Sequence, residues 1–170
     1  LSELEVAVAD PISEKIGQRL LATLQTVTTA NGYENTLIVE RKKADDYTPG
    51  NLKVVLYESN VEQVQGPDNY QEFFLSWNAD LYLASSNDAS SGLNRQTAHQ
   101  VWADSQKAVD SNYQLAAIDS GGVVTPGDEV ALDSEVQTII PFTANEAGYS
   151  GWTISIQTHF RYLRNNPFST

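Results

Sequence analysis

The chain has 170 residues, a formal net charge of −12, 41% apolar residues, and neither cysteine nor methionine. That length fits one domain spanning 1–170, able to bury a core without staples, and the missing cysteines exclude a disulfide framework and thiolate metal sites. The charge opposes binding to nucleic acid, whose affinity rests on Lys and Arg at phosphates, and no apolar run reaches the ~20 residues of a membrane-spanning helix.

Leu1 to Asp10 is acidic and lacks the basic start of a signal peptide. Ile12, Ile16, Leu20 and Leu24 recur every four residues, joined by Leu21 and Val27, and predict an amphipathic helix. Asp10 is placed to cap it, Pro11 suits its first turn, and Asn31-Gly32 is a stop signal. Strand-like segments follow at Asn35 to Arg41 and Leu52 to Glu58, separated by the turn-rich DDYTPGN. Phe73 to Ala84 alternates cleanly. Phe73, Leu75, Trp77, Ala79, Leu81 and Leu83 share one face, and Phe74, Ser76, Asn78, Asp80 and Tyr82 the other. Twelve such residues extend about 40 Å, so this strand bends or protrudes within a hairpin.

After the polar SSNDASSG, Arg95 to Tyr113 reads as a second helix, with Asn94 as its cap. Ile118 to Gly127 is a Gly-rich connection. Glu135 to Phe142 predicts a strand with Val136, Thr138, Ile140 and Phe142 on one face. In the last strand, Trp152, Ile154, Ile156, Thr158, Phe160 and Tyr162 face one way, and Thr153, Ser155, Gln157, His159 and Arg161 the other. The expected fold is α+β: a largely antiparallel sheet of about five strands with two amphipathic helices on one face. The opposite face meets water, a lumen or a neighbouring subunit.

Chemistry is hard to find. His99 and His159 are the only histidines, and neither has a partner at helical metal spacing. There is no nucleophile elbow and no phosphate loop; Ser120-Gly121-Gly122 reads as a turn. The calcium-loop register is missing around Asp45-Asp46 and Asp128-Glu129. No catalytic, cofactor or metal residue is therefore expected. Trp77, Trp102 and Trp152 fall on apolar faces and read as core. The loop residues Tyr47 and Tyr149 either anchor a contact or fold back onto the core.

The last third has a recognisable cadence: DSNYQLAAIDSGG, then SEVQTIIPF, TANEAGYSG and WTISIQTHFRYLRNNPF. It resembles the tail-terminator (tail-completion) proteins of long-tailed bacteriophages, whose final strand commonly ends in an Arg-Tyr or Tyr-Arg pair and is in many followed by a short Asp-Pro or Asn-Pro tail, matched here by Arg161-Tyr162 and Asn166-Pro167. The N-terminal helix, the DDYTPGN loop, LKVVLYE and the long alternating strand agree in layout. The resemblance implies a structural virion protein and no enzyme. It implies a hexameric ring, made in the host cytoplasm, that ends the tail tube and docks the head connector. Partners would be the major tail-tube protein and the connector or stopper protein, with double-stranded DNA passing through without specific binding and no membrane involved. A lumen sharing the negative charge would let the duplex slide. The interface residues expected are Asp45, Asp46, Tyr47, Tyr149, Arg161, Tyr162, Arg164, Pro167 and Phe168. Arg161 and Arg164 suit a neighbour's carboxylates, and Phe168 a neighbour's pocket. The competing readings are a head-closure connector, a monomeric ligand-binding or adhesion module, and an enzyme built from scattered carboxylates.

Overall fold

The computed structural model describes residues 10–42, 52–83, 92–142 and 151–168. In chain order these form helix α1 (Ile12–Gln25), a 3-10 turn (Thr29–Asn31), strands β1 (Ile38–Arg41), β2 (Lys53–Val64) and β3 (Tyr70–Tyr82), helix α2 (Gly92–Ser111), a small hairpin of β4 (Ala117–Ile118) and β5 (Val124–Thr125), and strands β6 (Asp133–Phe142) and β7 (Gly151–Leu163). The main sheet has the order β1-β2-β3-β7-β6. Only the β1–β2 pairing is parallel. The fold is α+β, with an open, mostly antiparallel sheet.

Helix α1 buries Ile12, Ile16, Leu20 and Leu24, the stripe its four-residue spacing dictates. Each such side chain contributes roughly 1.5–3 kcal/mol by leaving water. The ends differ from expectation. Pro11 is the residue flanking the first turn, with an extended ψ of 156°, so Asp10 stands one position too early to cap. The Asp10 carboxylate instead accepts from Gln18 Nε2 at 3.0 Å. The helix stops at Gln25, well before Asn31, where the Thr26 hydroxyl donates to the Thr23 carbonyl at 2.6 Å. Gly32 ends the following 3-10 turn instead, at φ 85°. In α2, Asn94 lies inside the helix rather than before it, because the helix begins at Gly92.

The face alternation of β3 and β7 is as read. Leu75, Trp77, Ala79 and Leu81 pair across the sheet with Thr158, Ile156, Ile154 and Trp152, and both helices pack over this side in one core. The reading of β6 fails midway. Gln137 and Thr138 together stand opposite Ser155, a bulge that shifts the register. Val136 and Ile139 therefore face the helices, opposite Ile156 and Ile154, while Ile140 turns outward and is 59% exposed.

Polar side chains fasten the layers. Asn112, buried at the end of α2, donates to Thr23 Oγ1 at 3.0 Å and to the Ala116 carbonyl at 3.1 Å, and accepts from Ala116 N at 2.9 Å. Asp104 accepts from the amides of Glu34 and Asn35 at 3.2 and 3.0 Å, holding the segment before β1 against α2. Arg41 lies across Gly17, where any Cβ would stand 2.5 Å from its guanidinium carbon. Its guanidinium sits 5.2 Å from the Trp77 ring centre and pairs with Glu14 at 2.8 Å and Glu58 at 3.2 Å.

That pairing sets a pH dependence. The hydrogen bond from Arg41, ahead of the opposing cost of burial, holds the Glu14 carboxyl below its usual 4.5. A lowered folded-state pKa means the contribution is complete above the unfolded value and is lost as pH falls through the folded one. Glu14→Gln is expected to cost under about 1 kcal/mol at pH 7, the carboxylate being partly exposed and screened. The gap from the parent chain should close below pH 4.5 in acid-series urea denaturation.

Candidate assembly surface

The sheet face turned away from the helices is built from the second set of alternating residues, and it has two zones. Near the start of β2, Val55, Asp80 and Tyr82 are buried, with Tyr82 edge-on to Phe142 at 5.6 Å between ring centres. Asp80 accepts from Tyr57 Oη at 3.1 Å and Thr153 Oγ1 at 2.7 Å. Towards the β2–β3 turn the face becomes polar and open. Ser76 stands opposite Gln157, and Asn78 opposite Ser155. Gln137 donates to Gln157 at 3.3 Å, and the Thr138 and Ser155 hydroxyls share a short hydrogen bond. His159 meets Glu72 at 2.9 Å and stacks on Phe74 at 4.7 Å.

Charge on this face is unbalanced. Glu40 is neutralised by Lys42 at 3.0 Å and Lys53 at 3.4 Å, and the Lys42 hydrogen bond is the main cause holding its carboxyl below the ordinary range. Glu62, Asp133 and Glu135 are exposed and have no cation partner among the described residues. Their places follow from pairing: Glu62 opposite Phe74, Asp133 opposite His159, Glu135 opposite Gln157.

Beyond the helices, β2 and β3 continue as a projecting hairpin whose outer strand is exposed from Glu58 to Gln63. A bulge at Ser59 bends it. On the helix side, Phe73 stacks between Phe160 and Tyr162, each at 5.3 Å. The C-terminal segment braces this projection. Arg164 donates from its backbone N to the Asn69 carbonyl at 3.0 Å and from Nε to the Asp68 carbonyl at 2.8 Å. Arg161 lies over the Tyr70 ring at 4.3 Å. The Pro167 carbonyl accepts from Ile12 N at 2.9 Å, joining the segment to the start of α1.

The residues expected at an interface thus divide. Arg161, Tyr162, Arg164 and Pro167 come together at the hairpin end, each engaged within the chain, while Phe168 is 45% exposed beside them. Asp45, Asp46, Tyr47 and Tyr149 lie outside the described residues. Edge strands completed by a neighbouring copy are expected, but which strands form the edges is not legible in the sequence. β1 pairs only with Lys53 to Leu56, so β2 is unpaired on that side from Glu58 to Val64 among the described residues. Among the described residues β6 pairs only with β7. Edge position depends on strand order, which local alternation does not encode. Among the described residues no group of three or more His, Asp or Glu could hold a metal ion, and no helix is long and apolar enough to cross a membrane. No family model matches the chain, and no curated protein matches it.

Proposed function

We propose that this chain is a ring-forming structural protein of a bacteriophage tail, of tail-terminator type. It ends the tube, presents a surface to the head connector and lets DNA pass its polar sheet face. The observation that carries the reading is the pairing of a helix-covered face with an open face bearing Glu62, Asp133 and Glu135. A subunit with one dry layer, one acidic wettable layer and two bare edges is suited to stand between copies of itself. The −12 charge then keeps duplex phosphates from adhering. Light scattering, on the chain alone and mixed with a tail-tube protein, tests this. Rings in either condition are the expected result; a strict monomer in both, or a basic lumen in an assembled ring, would sink it.

The C-terminal segment needs a finer probe than truncation. Removing Arg164 to Thr170 also removes the ties to Asn69, Asp68 and Ile12, so lost assembly would be confounded with a loosened hairpin. Phe168→Ala keeps those ties. It is expected to leave stability within about 0.5 kcal/mol and to reduce the assembled fraction measured by sedimentation. Unchanged assembly would remove Phe168 from the interface.

A further inference from the structure

We infer that the two sheet edges left unpaired among the described residues recognise each other: the outer half of β2 in one copy pairs antiparallel with β6 of the next. This inference rests on the ring reading above and names the surfaces that would close the ring.

Strand direction is the first argument. β2, β3, β7 and β6 alternate strictly, because all three pairings between them are antiparallel. An even number of alternating strands leaves the two outermost running in opposite directions. Rotation of one copy about an axis along the strands therefore sets β2 beside the next β6 in antiparallel sense, with the helix layers on the same side. Such a head-to-tail contact uses two different surfaces, so it propagates around a ring.

Side-chain placement supplies a register. Val61 is 51% exposed and faces the helix side, opposite Leu75. The helix-side residues of β6 include Val136 and Ile139. Val61 opposite Ile139 joins two apolar side chains on one face. It also places Pro141, which has no N–H to donate, opposite Ser59, the bulged residue. Asn60 then meets Ile140 and Glu62 meets Thr138, so no two carboxylates are directly opposed along this stretch. A pairing with no stagger would instead set Glu62 against Asp133, because both stand level with the Phe74–His159 pair.

The stagger is geometrically sensible. Val61 is level with Thr158 of β7, and Ile139 pairs with Ile154. The offset is four residues over four strands. One residue per strand is the ratio of an eight-stranded barrel of shear eight, whose strands tilt by about 36°. The bulges in both outer strands bend the sheet as closure requires.

Disulfide trapping tests this directly, since the parent chain has no cysteine. Val61→Cys would be combined in turn with Val136→Cys, Ile139→Cys and Pro141→Cys, and each variant oxidised gently under the conditions that give rings by light scattering. The expected result is a ladder of covalent multimers, strongest for Val61→Cys with Ile139→Cys, and no multimer beyond a dimer from either single variant. Rings without a ladder at any β6 position would overturn the junction while leaving the ring reading in place. Efficient dimers from Val61→Cys alone would overturn it in favour of a two-fold β2–β2 contact. Chains that form no ring alone or with tube protein would overturn both.

Discussion

Trp77→Ala should lower folding free energy by about 3–5 kcal/mol, among the largest losses available to a single substitution in this chain. Trp77 is fully buried at the middle of β3, and its flanking strands supply Glu58 and Ile156 as ladder partners. At Trp77, β3 is hydrogen-bonded to a strand on each side, so its backbone cannot move in to fill the space. Arg41, lying over the ring, would lose its platform as well as its aromatic contact. Urea denaturation should show a lower midpoint with an unchanged slope. Trp77→Phe refines the prediction. The indole Nε1 has no hydrogen-bond partner among the described residues, so phenylalanine removes a buried, unsatisfied donor along with some volume. Its cost should fall below about 2 kcal/mol. Equal losses for the two variants would refute the packing account.

Asp104→Ala is expected to cost about 2–3 kcal/mol by a different route. Asp104 is buried on α2 and gathers two main-chain amides, from Glu34 and Asn35, along with Asn35 Nδ2 at 3.3 Å. Alanine leaves both amides without their acceptor in a part-buried site. Lys107 on α2 still reaches the Gly32 carbonyl at 3.3 Å and the Tyr33 ring at 4.9 Å, so the added loss should be local to Glu34 and Asn35. Hydrogen exchange at Glu34 and Asn35 should accelerate more than at amides within β3 or β7. Uniform acceleration across the chain would show that the carboxylate contributes only general stability.

Where the sequence spoke clearly, one physical signal dominated. β3 and β7 are central strands with one dry face, so every second residue had to be apolar, and the period survived intact. The α1 stripe was legible for the same reason. Chain ends of elements were less so: Asp10 and Asn94 carry capping side chains, but cap position is decided by where the backbone leaves the extended region. The β6 register was hidden by the Gln137–Thr138 bulge, which changes which residues face the core without changing composition. Of the surface, Arg161 and Arg164 were visible as rare cations in an acidic chain, but their engagement with Tyr70 and Asp68 depends on a hairpin distant in sequence. The parallel β1–β2 pairing, which leaves half of β2 bare, carries no local pattern at all.

The placement of the tryptophans has a practical consequence. Trp77 and Trp152 are buried between helices and sheet, and Trp102 is partly buried against the same core. These three are the only indoles in the chain, and none sits on the polar face or the projecting edge. Intrinsic emission therefore reports the dry interlayer and is blind to contacts made elsewhere. A titration that assembles copies should leave its wavelength unmoved, whereas loss of packing should shift it to the red. The molecule thus carries an internal optical reference that separates association from unfolding without a label.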